Sequence, residues 1–124
     1  DGSPFKDVTR QVLFDGGFDI PCQFRYFEVK PGGYSTLEHH EHTHMVMIFR
    51  GHGQCLLGEK VVDVKVGDFI EIPSNTIHQF RANKGDYVGF FVLLNRRDKV
   101  KIPSEEEIEA LKANPTVKEF LESC

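Results

Sequence analysis

Gly32-Gly33-Tyr34-Ser35-Thr36-Leu37-Glu38-His39-His40-Glu41-His42-Thr43-His44-Met45-Val46-Met47-Ile48-Phe49-Arg50-Gly51 holds four of the chain's six histidines and runs directly into an apolar strand. Imidazole nitrogen is the commonest protein ligand for divalent metals at neutral pH, and a site needs several such donors held on rigid elements. In an extended segment residues of like parity share a face, so Glu38, His40, His42 and His44 are expected to point one way and His39 the other. Donors along one edge cannot surround an ion. A second strand must contribute, and His78, the lone histidine of a strand that holds Ile77 and Phe80, is the partner on offer. Taken singly, such a histidine is more often a hydrogen-bonded core residue, and a histidine cluster is more often a solvated loop.

Outward from this run the chain reads as short strands. Phe24, Tyr26, Phe27 and Val29 fit a half-buried strand that stops at Pro31-Gly32-Gly33, a turn signal. Met45 to Phe49 is apolar at every position, so both faces should be covered, one by the core and the other by a second sheet or a second subunit. Gly51-His52-Gly53 reads as a turn, Gln54 to Leu57 as a strand, and Val61 to Val66 alternates valine with Asp63 and Lys65 as a hairpin arm does. Phe69 to Ile72, Ile77 to Arg81 and Tyr87 to Leu94 follow, the last nearly unbroken in its apolar character and therefore central. No helical period interrupts residues 22–94, which excludes the crossovers of a parallel sheet and predicts an all-β antiparallel barrel or sandwich.

Both ends differ from this middle. Residues 1–21 carry Gly2, Pro4, Gly16, Gly17 and Pro21 among short apolar pieces, and an irregular arm with one or two edge strands is expected. Beyond residue 94 the period changes. Ser104 with Glu107 reads as a capping box, with Ile108 and Leu111 as the apolar side; Asn114-Pro115 starts a second helix with Val117, Phe120 and Leu121 facing inward. The 124 residues are thus read as one domain: an arm (1–21), a barrel core (22–94) and a tail of two short helices (95–124).

Net charge is −4 and the fifteen Lys and Arg are scattered, which argues against a nucleic-acid or anionic-membrane surface and leaves small molecules and protein partners. No apolar run approaches the ~20 residues of a bilayer span, and the N-terminus lacks a signal pattern. A cytoplasmic protein is expected, although a first residue of Asp leaves a trimmed leader open. Cys22, Cys55 and Cys124 form no Cys-x-x-Cys pair and read as reduced thiols, Cys124 being the exposed one.

Two spacings bring the segments together. Gly32, five residues, Glu38, one, His40, three, His44, six, Gly51 is followed after fifteen residues by Gly67, five, Pro73, one, Asn75, two, His78. These resemble the two motifs of the cupin superfamily, in particular its small microbial single-domain members, and imply a double-stranded β-helix, or jelly-roll barrel. By that resemblance His40 and His78 fall on the second and third metal histidines of the family. Glu38 stands where the first histidine is usual and His44 where glutamate is usual, so the implied set keeps three imidazoles and one carboxylate, with the carboxylate moved. Asn75 replaces a glycine, and asparagine tolerates a left-handed backbone.

The metal set expected is therefore Glu38, His40, His44 and His78, suited to one divalent transition metal (Mn, Fe, Ni, Co or Zn) with positions open to substrate. Val46, Ile48, Phe80 and Phe90 would wall the site, Glu41 is a fallback carboxylate, and His42 is the candidate acid/base, an alternative ligand or a bystander. Surface roles are expected for Arg50, His52, Gln79 and Arg81. The resemblance implies a metal-dependent enzyme acting on a small molecule inside the barrel, with a lean towards an iron or manganese oxygenase. The alternative is a non-catalytic binding or sensing module. The outer row of Met45, Met47 and Phe49 is expected to bury a homodimer.

Overall fold

Alternating apolar and polar residues give strands, and the change to helical period after Pro103 gives the tail. A computed structural model describes residues 5–17 and 19–122; Gly2, Pro4 and Cys124, which entered the expectations above, lie outside them. In chain order the strands are β1 (Lys6–Gly17), β2 (Ile20–Tyr34), β3 (His39–His40), β4 (His44–Leu57), β5 (Lys60–Lys65), β6 (Phe69–Ile72), β7 (His78–Ala82), β8 (Val88–Asn95) and β9 (Val100–Lys101), followed by α1 (Glu105–Lys112) and α2 (Pro115–Glu122). Every pairing among them is antiparallel, as the lack of helical crossovers requires.

β2 pairs with β8 from Cys22 to Val29 and then with β7 at Tyr34. β4 likewise pairs with β8 and β6 over its first half and with β7 and β5 over its second. The cycle β2–β8–β4–β7 closes the barrel, and β1, β5 and β6 each pair with it on one side. Each of the two long strands changes partner at glycines that the sequence offered as turns. Pro31-Gly32-Gly33 lies within β2, and Gly51-His52-Gly53 lies within β4. Gly51 has φ +66°, and a Cβ there would run into the carbonyl oxygen of Tyr87. A corner that brings two backbones this close excludes a side chain, so the glycine bends the strand rather than ending it.

The arm is more regular than expected: β1 runs along β2 from Lys6↔Tyr34 to Gly17↔Ile20 with three register shifts. Those shifts break the two-residue alternation, which is why no period was visible. The nearly unbroken apolar strand, β8, is central, paired on both sides.

Two apolar clusters form. Val29, Val46, Ile48, Ile72, Phe80, Val88 and Phe90 fill the barrel, and Leu56 packs with Leu111, Val117 and Phe120 beneath the helices. The tail caps are those the sequence predicts: the Glu107 amide donates to Ser104 Oγ (3.2 Å), the Ser104 amide to Glu107 Oε1 (2.9 Å), and the Thr116 amide to Asn114 Oδ1 (3.0 Å). Asn75 takes the left-handed backbone, with φ 57°.

β4 alternates: Val46 and Ile48 are buried, whereas Met45, Met47 and Phe49 stand on the outside beside Phe69 and Leu93. Cys22 and Cys55 are free thiols, and burial pushes the Cys55 thiol up to about 12. Among the described residues no helix is long and apolar enough to cross a membrane.

Candidate metal centre

Three local features bring the donors together. The amides and carbonyls of Glu38 and His78 bond reciprocally (3.2 and 3.0 Å), setting the two residues side by side on neighbouring segments. His40 is fixed from both flanks, its strand paired with β9 through His40↔Val100 and its carbonyl accepting from the Asn75 amide (2.6 Å). Residues 41–43 then leave the strand, and His44 re-enters at the start of β4 opposite Ile72. This detour breaks the parity expected for the whole run. Glu38, His40 and His44 still converge, while His42 ends half-exposed.

Ligand atoms of Glu38, His40 and His78 lie within 4.8 Å of one another, and so do those of His40, His44 and Asp98. The four expected donors thus occupy two overlapping groups that share His40. His40 and His44 stack at 3.6 Å between ring centroids, and His78 is tilted against His40 at 4.6 Å. Nε2 of His40 is 2.9 Å from Glu38 Oε2, and Nε2 of His44 is 2.9 Å from Asp98 Oδ2. His78 donates its Nδ1–H to the Thr76 carbonyl (2.9 Å), which leaves the Nε2 lone pair for a ligand. Nδ1 of His40 and Nδ1 of His39 are both buried without a hydrogen-bond partner.

Burial, followed by the neighbouring His40, lowers the His44 imidazole to about 4; burial also brings His78 to about 4, against the opposing hydrogen bond to the Thr76 carbonyl. Both are therefore neutral at pH 7, the state a metal ligand needs. Burial pushes the Asp98 carboxyl up, but hydrogen bonds with His42, His44 and the Lys99 amide outweigh it and hold the group below the usual carboxylate range. Metal-free protein should lose stability in acid. An unfolded histidine takes its proton near ~6.5, the folded His44 and His78 only near about 4, so the unfolded state binds more protons between those values. Melting temperature is expected to fall from pH 6.5 to 4 and then lose this dependence; a flat profile across that window contradicts the buried neutral histidines.

The sequence did not offer Asp98. It sits between β8 and β9 in Arg96-Arg97-Asp98-Lys99, a run that looks like a solvated turn, yet its side chain is 2% exposed and accepts from both His42 Nδ1 (3.0 Å) and His44. The pairing of β3 with β9 is what folds this loop back over the histidines. Glu41, the fallback carboxylate, is exposed. His52 pairs with Asp86 (2.6 Å) and Arg50 with Glu28 (3.1 Å) at the surface. Gln79 is buried instead and donates to the Ser35 carbonyl (2.8 Å), and Arg81 stacks on Tyr34 and Phe120.

A cavity of about 410 Å³ opens beside the cluster, lined by Glu38, His44 and His78, by Val46, Phe80, Phe90 and Val92, and on its β1–β2 side by Arg10, Arg25 and Phe27. Ile48 of the expected wall is in the core instead. Apolar walls with a few convergent polar groups, at this size, characterise small-molecule sites. Three imidazoles with two carboxylates suit a divalent transition metal, and the neutral His44 and His78 agree with that use.

Residues 25–93 match the sequence model of the Cupin domain family. A protein of Rhodospirillum rubrum named 1-methylthio-D-xylulose 5-phosphate methylsulfurylase is 45% identical over 121 residues, spanning 97% of this chain and 77% of its own. Among solved structures, a cupin 2 conserved barrel domain protein from Rhodopseudomonas palustris superposes with TM-score 0.90 at 49% identity, covering 96% of this chain and 82% of that one. A cupin-2 domain from Rhodospirillum rubrum gives TM-score 0.93 at 44% identity over 99% of this chain and 83% of its own.

Proposed function

The chain belongs to the cupin family, and from that premise we propose that it is a metal-dependent enzyme acting on the carbon–sulfur bond of a methylthio-substituted ketose phosphate. The observation that carries this reading is the near-complete alignment with the methylsulfurylase. The donor set is in keeping with it. Glu38, His40, His44 and His78, with Asp98 as a fifth candidate, would hold one divalent transition metal. A metal bound there would supply a Lewis acid for a ketone next to the carbon–sulfur bond. Such chemistry suits a mixed imidazole and carboxylate sphere as well as oxygenation does, and the relative's substrate therefore displaces the oxygenase lean.

The chain's own groups supply the rest. Val46, Phe80 and Phe90 keep the cavity apolar, which strengthens electrostatic contacts inside it. With Nδ1 of His42 on Asp98 Oδ1, the carboxylate fixes the ring and leaves Nε2 to take or give a proton. A cytoplasmic setting belongs to the same reading, in keeping with the free Cys22 and Cys55.

The test is an assay with 1-methylthio-D-xylulose 5-phosphate and an added thiol, which would take the methylthio group as a mixed disulfide while the enolate left on the sugar takes a proton. Turnover is expected from the purified chain, lost after chelation and restored by one added divalent metal. Binding without turnover would favour the non-catalytic alternative; neither binding nor turnover would sink the substrate class. The reading also takes a second copy of this chain as the cover for Met45, Met47, Phe49, Phe69 and Leu93, which are each more than a third exposed. Sedimentation velocity should give twice the monomer mass, and Met47→Glu the monomer; a wild-type monomer at micromolar concentration contradicts the dimer.

A further inference from the structure

We infer that Arg10 and Arg25 form an anion site inside the cavity that takes the phosphate of the substrate; this rests on the phosphorylated substrate class proposed above. The register places them there. Arg10 lies opposite Phe27 and Arg25 opposite Val12, so the two are diagonal neighbours across β1 and β2, and by parity they share the face of the sheet that carries the core residue Val29. Both line the cavity that also takes in Glu38, His44 and His78.

Glu38, Asp15 and Asp98 act on Arg25 only at a distance, without an ion pair. Arg25 is half-buried and spends Nε on the Gln23 carboxamide oxygen. Neither arginine has an ion-pair partner among the described residues, and the nearby Asp15 is engaged by Gln23 (2.8 Å) and Arg96 (3.7 Å). Burial, then the proximity of Arg10, lowers Arg25 from its ordinary value. The exposed Arg10 and the half-buried Arg25 repel, and a dianion that bridges them removes that cost. The planar fork of each can hold two phosphate oxygens, a geometry lysine lacks. With acidic donors at the metal cluster and cations at the β1–β2 side, the cavity is polarised for a molecule with a metal-binding carbonyl at one end and a phosphate at the other.

The probe is inorganic phosphate, titrated by calorimetry at constant ionic strength into the full chain and into Arg10→Gln and Arg25→Gln. Phosphate is expected to bind the wild type, raise its melting temperature and compete with substrate. Each variant should weaken phosphate binding and raise KM about 10- to 100-fold with kcat within a few-fold and bound metal unchanged. Arg10 is on an exposed edge strand, so its variant remains informative if Arg25→Gln folds poorly. Phosphate binding that either folded variant retains, or a shift that chloride matches at equal ionic strength, would overturn the inference. Arginine-dependent phosphate binding in a chain that does not turn over the methylthio ketose phosphate would keep the anion site and sink the substrate reading. Turnover with unchanged KM in both variants would do the reverse.

Discussion

Replacing His40 with alanine is expected to strip the transition metal from the purified protein, while His39→Ala leaves it in place. His40 is 1% exposed and is the member common to both donor groups, so its loss reduces each of them to two ligands. Removing a partner that only orients a ligand costs about 10- to 100-fold in metal affinity, and removing the shared ligand should exceed that, about 100-fold or more. His39 neighbours His40 in the two-residue strand β3 and belongs to neither group. The comparison is read by metal content after gel filtration, with a circular dichroism melt to establish that His40→Ala folds. Equal metal loss in both variants would show that the cluster, rather than particular members of it, binds the ion.

Gly51→Ala is the second large effect, and it acts through the fold. Backbone at φ +66° costs an alanine about 1 kcal/mol. The heavier penalty is the overlap with the Tyr87 carbonyl, which the His52 amide holds by a 3.0 Å hydrogen bond. That carbonyl is backbone next to Val88, which pairs with Gly51 across β8 and β4, and it cannot swing aside as a flexible side chain would. The sum is about 3 kcal/mol or more, which for a chain of this size lowers the melting temperature by about 10 °C. Gly85→Ala separates the two causes, since Gly85 has φ +87° but nothing within 4 Å of the added carbon. It should lose only about 1 kcal/mol. Similar losses at both positions would mean that backbone strain, and not the crowded corner, limits the site.

These corners mark where the sequence was legible and where it was not. Strand alternation, the caps at Ser104 and Asn114 and the spacing from Gly32 to His78 are local patterns, and local patterns survive into the fold. Gly51 and Gly53 could not be read the same way, because a glycine required by a backbone approaching from residue 87 or 81 looks in sequence like one required by a turn. β1 hid its regularity behind register shifts. At the site, Glu38, His40 and His78 were visible because residues two apart share a face and the second motif supplies the partner strand. His42 departed from that parity once residues 41–43 left the strand. Asp98 carried no signal at all: a lone acid among basic residues resembles any solvated turn, and only the pairing of β3 with β9 buries it. Arg10 and Arg25 were equally silent, their relation being a matter of register between β1 and β2.

The central claim is that this cluster of imidazoles and carboxylates holds a metal. The direct measurement is elemental analysis by plasma emission on protein purified without nickel resin, paired with thermal melts before and after adding metal to chelated protein. About one divalent transition metal per chain is expected, with a rise in melting temperature on reloading, because metal bound only to the folded state stabilises it. Protein that purifies without metal, and melts at the same temperature whether or not Mn, Fe, Co, Ni or Zn is supplied, would contradict the account.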